Sequence, residues 1–155
     1  MIPDHVRESL SCPGTAVVAT RDSQLQPCLI RVFGINVHPN QTTATFYIYE
    51  RRSEQIIANL ENNGRIALTT AVPGSNESYQ LKGKFLSWRR NNEQDNQFVD
   101  EYMARVYQCA EEWGIPKELL STFNMGIYKP TIAITFDVEM VFGQAPHPET
   151  GKLIS

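Results

Sequence analysis

The stretch ATFYIYERRSEQIIANLENNGRIALT, residues 44–69, sets a strand, a cationic loop, a helix and a second strand in immediate succession. Its apolar opening is rich in aromatic and β-branched residues, which predicts a strand over Thr43–Tyr49. Ser53 is a suitable N-cap for the helix, and Gly64 can end it in the left-handed conformation. The next apolar run, Arg65–Val72, predicts another strand.

The same periodicity, followed outward in both directions, predicts a mainly β protein. Further strands are predicted over Thr15–Thr20, Cys28–Val37, Tyr79–Trp88 and Ile132–Phe142. A long helix is predicted over Gln94–Trp113, and a short helical turn over the residues KELLSTF that follow it. Short polar turns join the first three strands into an antiparallel meander. Six strands with one apolar face each would close to remove their edges. We therefore expect a six-stranded antiparallel β-barrel with flanking helices, in one domain spanning residues 1–155.

Strict alternation assigns faces to two of these strands. In the last strand it puts the following residues on one face: Ile132, Ile134, Phe136, Val138, Met140 and Phe142. In the second strand it puts Arg31 on the same outward face as Leu29, Phe33 and Ile35. That face is too apolar to leave in water, which favours a homodimer, although the long helix could instead cover it within one chain.

Composition excludes several classes of function. The formal net charge is −3, the pI is near 5.6 and no long basic run occurs, which disfavours a general nucleic-acid binder. The N-terminus lacks a signal-peptide pattern, and no apolar stretch approaches the ~20 residues of a membrane span. We therefore expect a soluble, cytoplasmic protein. The three cysteines and three histidines are widely scattered, so no metal site is predicted.

The cationic loop has two interpretations. Arg51, Arg52 and Ser53 precede a helix whose N-terminus carries unpaired N–H groups and a partial positive charge. Cations are unfavourable there unless an anion joins them, and guanidinium groups beside backbone amides are typical of a phosphate site. Alternatively, both arginines are solvated loop residues that pair with Glu50 and Glu54.

Other side chains extend the first interpretation. Arg31 lies in mid-strand among apolar residues, where a guanidinium needs a partner. Lys82 and Lys84 share one face of the fifth strand with Gln80, a position also common for simple surface lysines. Together with the tyrosines of the third strand, these cations would suit a flat, anionic, aromatic ligand.

At this level of detail the chain resembles a known family. The order of elements from Gly14 to Trp88 is similar to the FMN-binding split barrel of the pyridoxamine 5′-phosphate oxidase-like superfamily. The resemblance rests on the stretches GTAVVATRDSQLQPCLIRVFG, ATFYIYERRSEQIIANLENNGRIALT and YQLKGKFLSW, which cover about half the chain. Each stretch alone is a weak match, and their order and spacing together are moderately specific.

The resemblance implies a homodimer with FMN bound at the subunit interface. It assigns flavin-ring contacts on the second strand to Ile30, Arg31 and Val32. It assigns contacts with the ribityl chain and phosphate to the third strand and the following loop, at Tyr47, Ile48, Tyr49, Arg51, Arg52 and Ser53. From the fifth strand, Gln80, Lys82 or Lys84 would approach the phosphate or the ring.

Two departures from the family pattern limit what is carried over. The family often has Ser-Arg-Lys shortly before its Asn-Leu pair; here those positions are Glu54, Gln55 and Ile56, and the cations come earlier. The chain ends QAPHPETGKLIS, without the Arg-x-His signature of the true oxidase, so oxidation of pyridoxamine 5′-phosphate is not predicted.

The resulting functional prediction is an FMN-dependent oxidoreductase of unknown substrate. Flavin carries hydride transfer in its own ring. Arg31 would act in catalysis by stabilising the reduced, anionic flavin, and the long helix with residues 116–125 would help to cover the pocket. Two alternatives remain: a non-catalytic dimer that holds or senses flavin, heme or another anionic ligand, and a purely structural barrel.

Overall fold

A computed structural model describes residues 1–12, 14–120, 122, 127–148 and 150–155, with the side chain of residue 117 left out. Its elements are α1 (Asp4–Ser11), β1 (Thr15–Arg21), β2 (Pro27–Val37), β3 (Thr43–Tyr49), a 3-10 turn (Glu50–Arg52), α2 (Glu54–Asn63), β4 (Arg65–Val72), β5 (Glu77–Arg90), α3 (Glu93–Glu112), α4 (Lys117–Leu120) and β6 (Thr131–Gly143). The strands form a closed antiparallel barrel in the order β1-β2-β3-β6-β5-β4. The predicted fold class is therefore confirmed.

The local signals used for the prediction correspond to real features. Gly64 ends α2 at φ 67°, and its N–H donates to the Leu60 carbonyl at 2.8 Å. At the start of α3, Asn92 and Asp95 form a reciprocal capping box. The six predicted strands agree with β1–β6 to within two residues at each end. Among the described helices, none is long and apolar enough to span a membrane.

Helix α1 was not predicted. Ile2, Val6 and Leu10 recur every four residues, as on one face of a helix, and all three are buried in the barrel core. The helix is only eight residues long and lacks a side-chain cap, so little besides that spacing indicates it.

Two apolar clusters define the packing. The first fills the barrel, with Phe46 and Phe136 in edge-to-face contact 5.6 Å apart at its centre. The second lies outside the barrel, where Val99 and Met103 of α3 pack over Phe33 of β2. Helix α3 therefore covers part of the outer face of β2 within one chain.

A bulge in β2 corrects the assignment of its faces. The β2–β3 register shifts between Val32 and Ile35, where Gly34 has φ 148°. A Cβ atom on Gly34 would lie 3.1 Å from the Phe98 ring, so a residue without a side chain suits this bend. Because the bulge adds a residue, Ile35 turns into the barrel core while Phe33 stays outside. The prediction that Ile35 shares the outward face of Arg31 is wrong.

A second bulge changes the end of β6. Gly83 of β5 pairs with Val138, but Lys82 pairs with Met140, so one residue of β6 has no counterpart. Beyond it Val141 enters the core, whereas Met140 is only half-buried. The predicted uninterrupted face therefore ends at Val138, and the assignment of Met140 and Phe142 to it is wrong.

Candidate functional site

A pocket lies on the outer face of β2 and β3. It has a volume of about 500 Å³, within the range of small-molecule sites. Its lining residues come from β2, the end of β3, the 3-10 turn and the segment before β6: Leu29, Ile30, Arg31, Phe33, Tyr49, Arg52 and Ile127. We call it the Arg31–Arg52 pocket. The structure thus brings four of the predicted site residues together, namely Ile30, Arg31, Tyr49 and Arg52.

Arg31 is the most unusual side chain of this pocket. It is half-buried beside Tyr102 of α3, and burial lowers the pKa of its guanidinium. Among the described residues it has no hydrogen-bond or ion-pair partner. A partly desolvated cation without a carboxylate is unfavourable, and an anion entering the pocket would relieve that cost.

The 3-10 turn supplies the second cation. Arg51 and Arg52 are exposed, and Arg52 lines the pocket whereas Arg51 does not. Neither has an ion-pair partner in the described part of the chain, and Glu50 pairs with Arg90 at 3.0 Å instead. The pairing of the two arginines with Glu50 and Glu54 is therefore wrong for the described residues, whereas their exposure agrees with the alternative that both are solvated loop residues.

Ser53 does not cap α2 with its side chain. It is buried in the right-handed helical conformation, and its hydroxyl donates to the Glu50 carbonyl at 2.7 Å. The structure confirms Ser53 at the N-cap position of α2, but its side chain makes no capping hydrogen bond with the amides of that helix. The hydroxyl stabilises the turn that carries Arg52.

Three other predicted site residues face away from the pocket. Val32 and Ile48 point into the barrel core, so only their backbone groups can meet a ligand on the outer face. Tyr47 is buried under α3, where its hydroxyl donates to Asp95 at 3.0 Å and burial raises its pKa. Its ring packs on Phe98 with centroids 5.4 Å apart. The prediction that Tyr47 stacks on a ligand thus gives way to a role in attaching α3.

Asp95 is the centre of that attachment. Burial alone would raise the pKa of its carboxyl, but hydrogen bonds from Arg89, the Asn92 backbone and Tyr47 outweigh it and lower the pKa. The Arg89 guanidinium makes a forked contact with both carboxylate oxygens. This network links β3, β5 and α3 next to the pocket.

The predicted residues of β5 lie on another face. Gln80, Lys82 and Lys84 all point outward, but β5 is three strands away from β2 in either direction around the barrel. Gln80 donates to Thr69 at 3.2 Å, Lys82 lies 4.9 Å from the centre of the Phe142 ring, and Lys84 pairs with Glu139 at 2.9 Å. One chain alone cannot bring these side chains to the Arg31–Arg52 pocket.

Sequence reasoning missed two lining residues as site members. Leu29 lies on the same outward face as Arg31 and is 65% exposed, and Ile127, from the segment before β6, is 63% exposed. The alternation of β2 puts Leu29 on the face of Arg31, although it was not predicted as a site residue, and no sequence pattern indicates Ile127. Residues 121 and 123–125, part of the segment predicted to cover the pocket, lie outside the described residues. Among the described residues no group of three His, Cys, Asp or Glu side chains could hold a metal ion.

The closed barrel, its outer covering helix and a pocket with unneutralised cations define a split-barrel protein with an anion-compatible site. The family model described as pyridoxamine 5′-phosphate oxidase matches residues 2–127, most of the sequence, and the chain therefore belongs to that family. No curated protein matches it.

Solved structures share the fold at low sequence identity. HupZ from Group A Streptococcus is 19% identical with a TM-score of 0.58, over 100% of both chains. A protein titled F420 reductase is 13% identical with a TM-score of 0.57, over 90% of this chain and 98% of that one. An FMN-binding protein from Syntrophomonas wolfei is 8% identical with a TM-score of 0.53, over 85% and 78% respectively. At these identities the likeness is one of fold.

Proposed function

We propose that the Arg31–Arg52 pocket binds FMN and that the protein is an FMN-dependent oxidoreductase. The observation that carries the proposal is a pair of guanidinium groups, without carboxylate partners among the described residues, in a pocket of about 500 Å³ whose other walls include aliphatic and aromatic side chains. A planar ring with an anionic tail fits that combination, because the walls are aliphatic and aromatic while the charges to be neutralised are positive. An FMN-binding protein among the similar structures and the family match support the same cofactor.

The residues divide by what they can offer the cofactor. Leu29, Phe33 and Tyr49 provide apolar and aromatic surface for the ring. The backbone of Ile30, Val32 and Ile48 supplies hydrogen-bonding groups along β2 and β3.

The arginines and the 3-10 turn would contact the charged groups of FMN. Arg52, with Arg51 beside it, offers bidentate donors to the phosphate, and Ser53 holds the turn that carries them. Arg31 favours negative charge on the ring. When bound, the flavin supplies hydride transfer.

Heme is the weaker candidate for the pocket. Protein ligands to heme iron are His, Cys, Met or Tyr. Among the described lining residues only Tyr49 belongs to that set. His38, in the loop after β2, hydrogen-bonds Thr45 at 2.8 Å instead of facing the pocket.

We infer that the cofactor site is completed by a second copy of the chain. The sequence predicts a dimer from an exposed apolar face at Phe33 and Ile35. That argument fails because both side chains are buried within one chain. Exposed Leu29 and Ile127 at the pocket mouth now support an interface there. We propose a two-fold arrangement in which β5 of one protomer lies at the pocket of its partner, so that Gln80, Lys82 or Lys84 contributes to the site.

Cofactor identity is tested first by absorption of the purified protein and by titration. We expect flavin absorption and an FMN affinity far above that of riboflavin, which lacks the phosphate. Equal affinity for FMN and riboflavin would contradict the assignment of a phosphate site. A Soret band without flavin absorption would show that the cofactor is heme and not FMN.

Replacing Arg51 and Arg52 together with Ala should weaken FMN binding by about 2–4 kcal/mol, because charge-assisted hydrogen bonds to the phosphate are lost. The matched control is a double replacement of Arg7 and Arg65, which pair with Asp4 and Glu139. An equal loss in the control would show that general positive charge, not this turn, attracts FMN.

The shared site is tested by mixing. Light scattering should give twice the chain mass of 17.6 kDa. Arg52→Ala and Lys82→Ala variants, each deficient in FMN, should regain about a quarter of the wild-type sites when their subunits exchange, because half the sites of a heterodimer carry neither change. A monomeric mass, or no recovery with exchange demonstrated, would contradict the shared site.

A further inference from the structure

A second, smaller cavity lies on the other side of Arg31. It has a volume of about 140 Å³, and we call it the Trp113 pocket. Apart from Arg31, Gly14 and Thr15, its described walls are apolar: Pro73, Val106, Ala110, Trp113, Ile115 and Leu120. Arg31 also lines the Arg31–Arg52 pocket, so this residue borders both cavities.

We propose that the Trp113 pocket binds a small monocarboxylic acid whose apolar group is about the size of a benzene ring. This inference rests on the proposed function in one respect: it assigns the substrate class of an enzyme whose flavin would occupy the neighbouring pocket. The cavity itself is defined without reference to the cofactor.

Size and polarity set the apolar part of the ligand. A cavity of about 150 Å³ lined by apolar side chains holds a benzene-sized group. The walls of α3 come from Val106 and Ala110, both buried, and offer dispersion contacts but no hydrogen bonds. Trp113, at the end of α3, is 43% exposed and gives the cavity an aromatic wall that reaches solvent. A polar group in this part of the ligand would lose its water without compensation.

The charge of the cavity wall indicates which polar group the ligand carries. Arg31 is the single charged residue among the described walls, and it has no partner among the described residues. One guanidinium neutralises one negative charge and matches the two oxygens of a carboxylate. A phosphate ester would bring more charge and more volume than this cavity offers. The five N–H donors of a guanidinium also allow Arg31 to serve a ligand on each side.

Trp113 makes the proposal measurable. The chain has two tryptophans, and Trp88 lies on β5, where its indole N–H donates to Glu61 at 3.1 Å. In a Trp88→Phe background the fluorescence therefore reports on Trp113 alone. We would titrate the FMN-loaded protein with benzoate, and with benzamide as an uncharged probe of nearly the same shape. Benzoate should change the fluorescence saturably and bind about tenfold or more tightly than benzamide.

A filling variant tests the place of binding. Ala110→Leu should weaken benzoate binding about tenfold or more, because the added side chain occupies the cavity. Ala58→Leu on the exposed side of α2 adds the same group elsewhere and should leave benzoate binding unchanged. FMN affinity, measured on the same samples, reports separately on the proposed cofactor site.

Three results would overturn the proposal: no saturable benzoate response, equal binding of benzoate and benzamide, or full benzoate affinity in Ala110→Leu. If that variant does not fold, Arg31→Gln decides the question, because it should abolish the preference for benzoate over benzamide. A retained preference would contradict the role of the guanidinium. FMN binding that persists in any of these cases leaves the proposed function standing while the substrate class fails.

Discussion

Two faces of the barrel carry cationic side chains but differ in whether carboxylates accompany them. On the β2–β3 face, Arg31 and Arg52 line a pocket and have no ion-pair partner among the described residues. On the β4–β5–β6 face, Arg65 and Lys84 both pair with Glu139, at 3.3 and 2.9 Å, while Lys82 lies 4.9 Å from the centre of the Phe142 ring. Cations that the protein leaves unpaired beside apolar walls are suited to a ligand, whereas cations already paired on the surface are not.

The faces also differ in how tightly their strands approach. At Gly83 on the β4–β5–β6 face, an added Cβ atom would lie 1.9 Å from the Asp137 carbonyl oxygen. This oxygen is a backbone atom, so it cannot move aside without the strand. Gly83→Ala should therefore destabilise the fold by about 3 kcal/mol or more, measured by urea unfolding. Gly143→Ala is the matched control, since its Cβ would meet only the end of Ile154 at 3.5 Å. Similar stability of the two variants would mean that β5 and β6 are not held at this spacing.

An ion pair with a buried carboxylate extends the comparison to Arg89, a cation that pairs with Asp95. Asp95 accepts bonds from Arg89 and Tyr47, and Asp95→Asn should lower the free energy of unfolding by about 1–2 kcal/mol at neutral pH. The Arg89 side chain is half exposed, which keeps the expected loss below that of a fully buried pair. Unfolding of the two proteins at several pH values measures the effect.

The sign of the pH dependence follows from the lowered pKa of Asp95. In the unfolded chain the Asp95 carboxyl has a pKa near 4, and in the folded protein its pKa is lower. The stability that the ionised carboxylate contributes is therefore complete above about pH 4, and it is lost as the pH falls through the pKa of the folded group. Wild type and Asp95→Asn should therefore converge in stability below about pH 4. A constant difference down to lower pH would contradict the assignment.

How far the sequence predicts this molecule depends on the range of each interaction. Strands and α2 follow from local periodicity and a left-handed Gly64, which neighbouring residues specify. The orientation of Ile35 and of Val141 depends on bulges, and those arise where two strands distant in sequence come into register.

The candidate site shows the same limit. Arg31 stands out in the sequence because it interrupts an apolar strand, and Arg52 because it precedes a helix. Tyr47 resembles a ligand contact in sequence, but the partner that takes its hydroxyl, Asp95, lies 48 residues away and becomes its neighbour only when α3 packs on the barrel. Ile127 reaches the pocket for a similar long-range reason.

The role of Arg31 on the β2–β3 face can be tested by measuring the midpoint potential of the proposed flavin. A positive charge next to the ring stabilises the reduced, anionic form, so Arg31→Ala should lower the midpoint potential by tens of millivolts, equivalent to about 1–2 kcal/mol. Arg90→Ala, which removes a surface cation paired with Glu50, should leave the potential unchanged. A potentiometric titration of FMN-loaded dimers measures both variants. An unchanged potential in an intact Arg31→Ala dimer would remove Arg31 from the chemistry and leave it a structural residue of the interface.

The smallest effect on stability is expected on the β4–β5–β6 face, where one substitution removes the Glu139 carboxylate that pairs with Arg65 and Lys84. Glu139→Gln frees Arg65 and Lys84, whose side chains are 57% and 60% exposed, so the free energy of unfolding should fall by less than about 1 kcal/mol, and less still at high salt. Arg65 would then join Lys82 as a cation without a carboxylate partner among the described residues, in the lining of a cavity of about 400 Å³. We nevertheless expect no additional FMN to bind, because Arg65 and Lys84 remain well hydrated, whereas Arg31 is partly desolvated beside aromatic walls. Equilibrium dialysis of the variant gives the stoichiometry. Binding of a second FMN per chain would show that free positive charge alone is sufficient, and that the partial burial of Arg31 is not what selects the ligand.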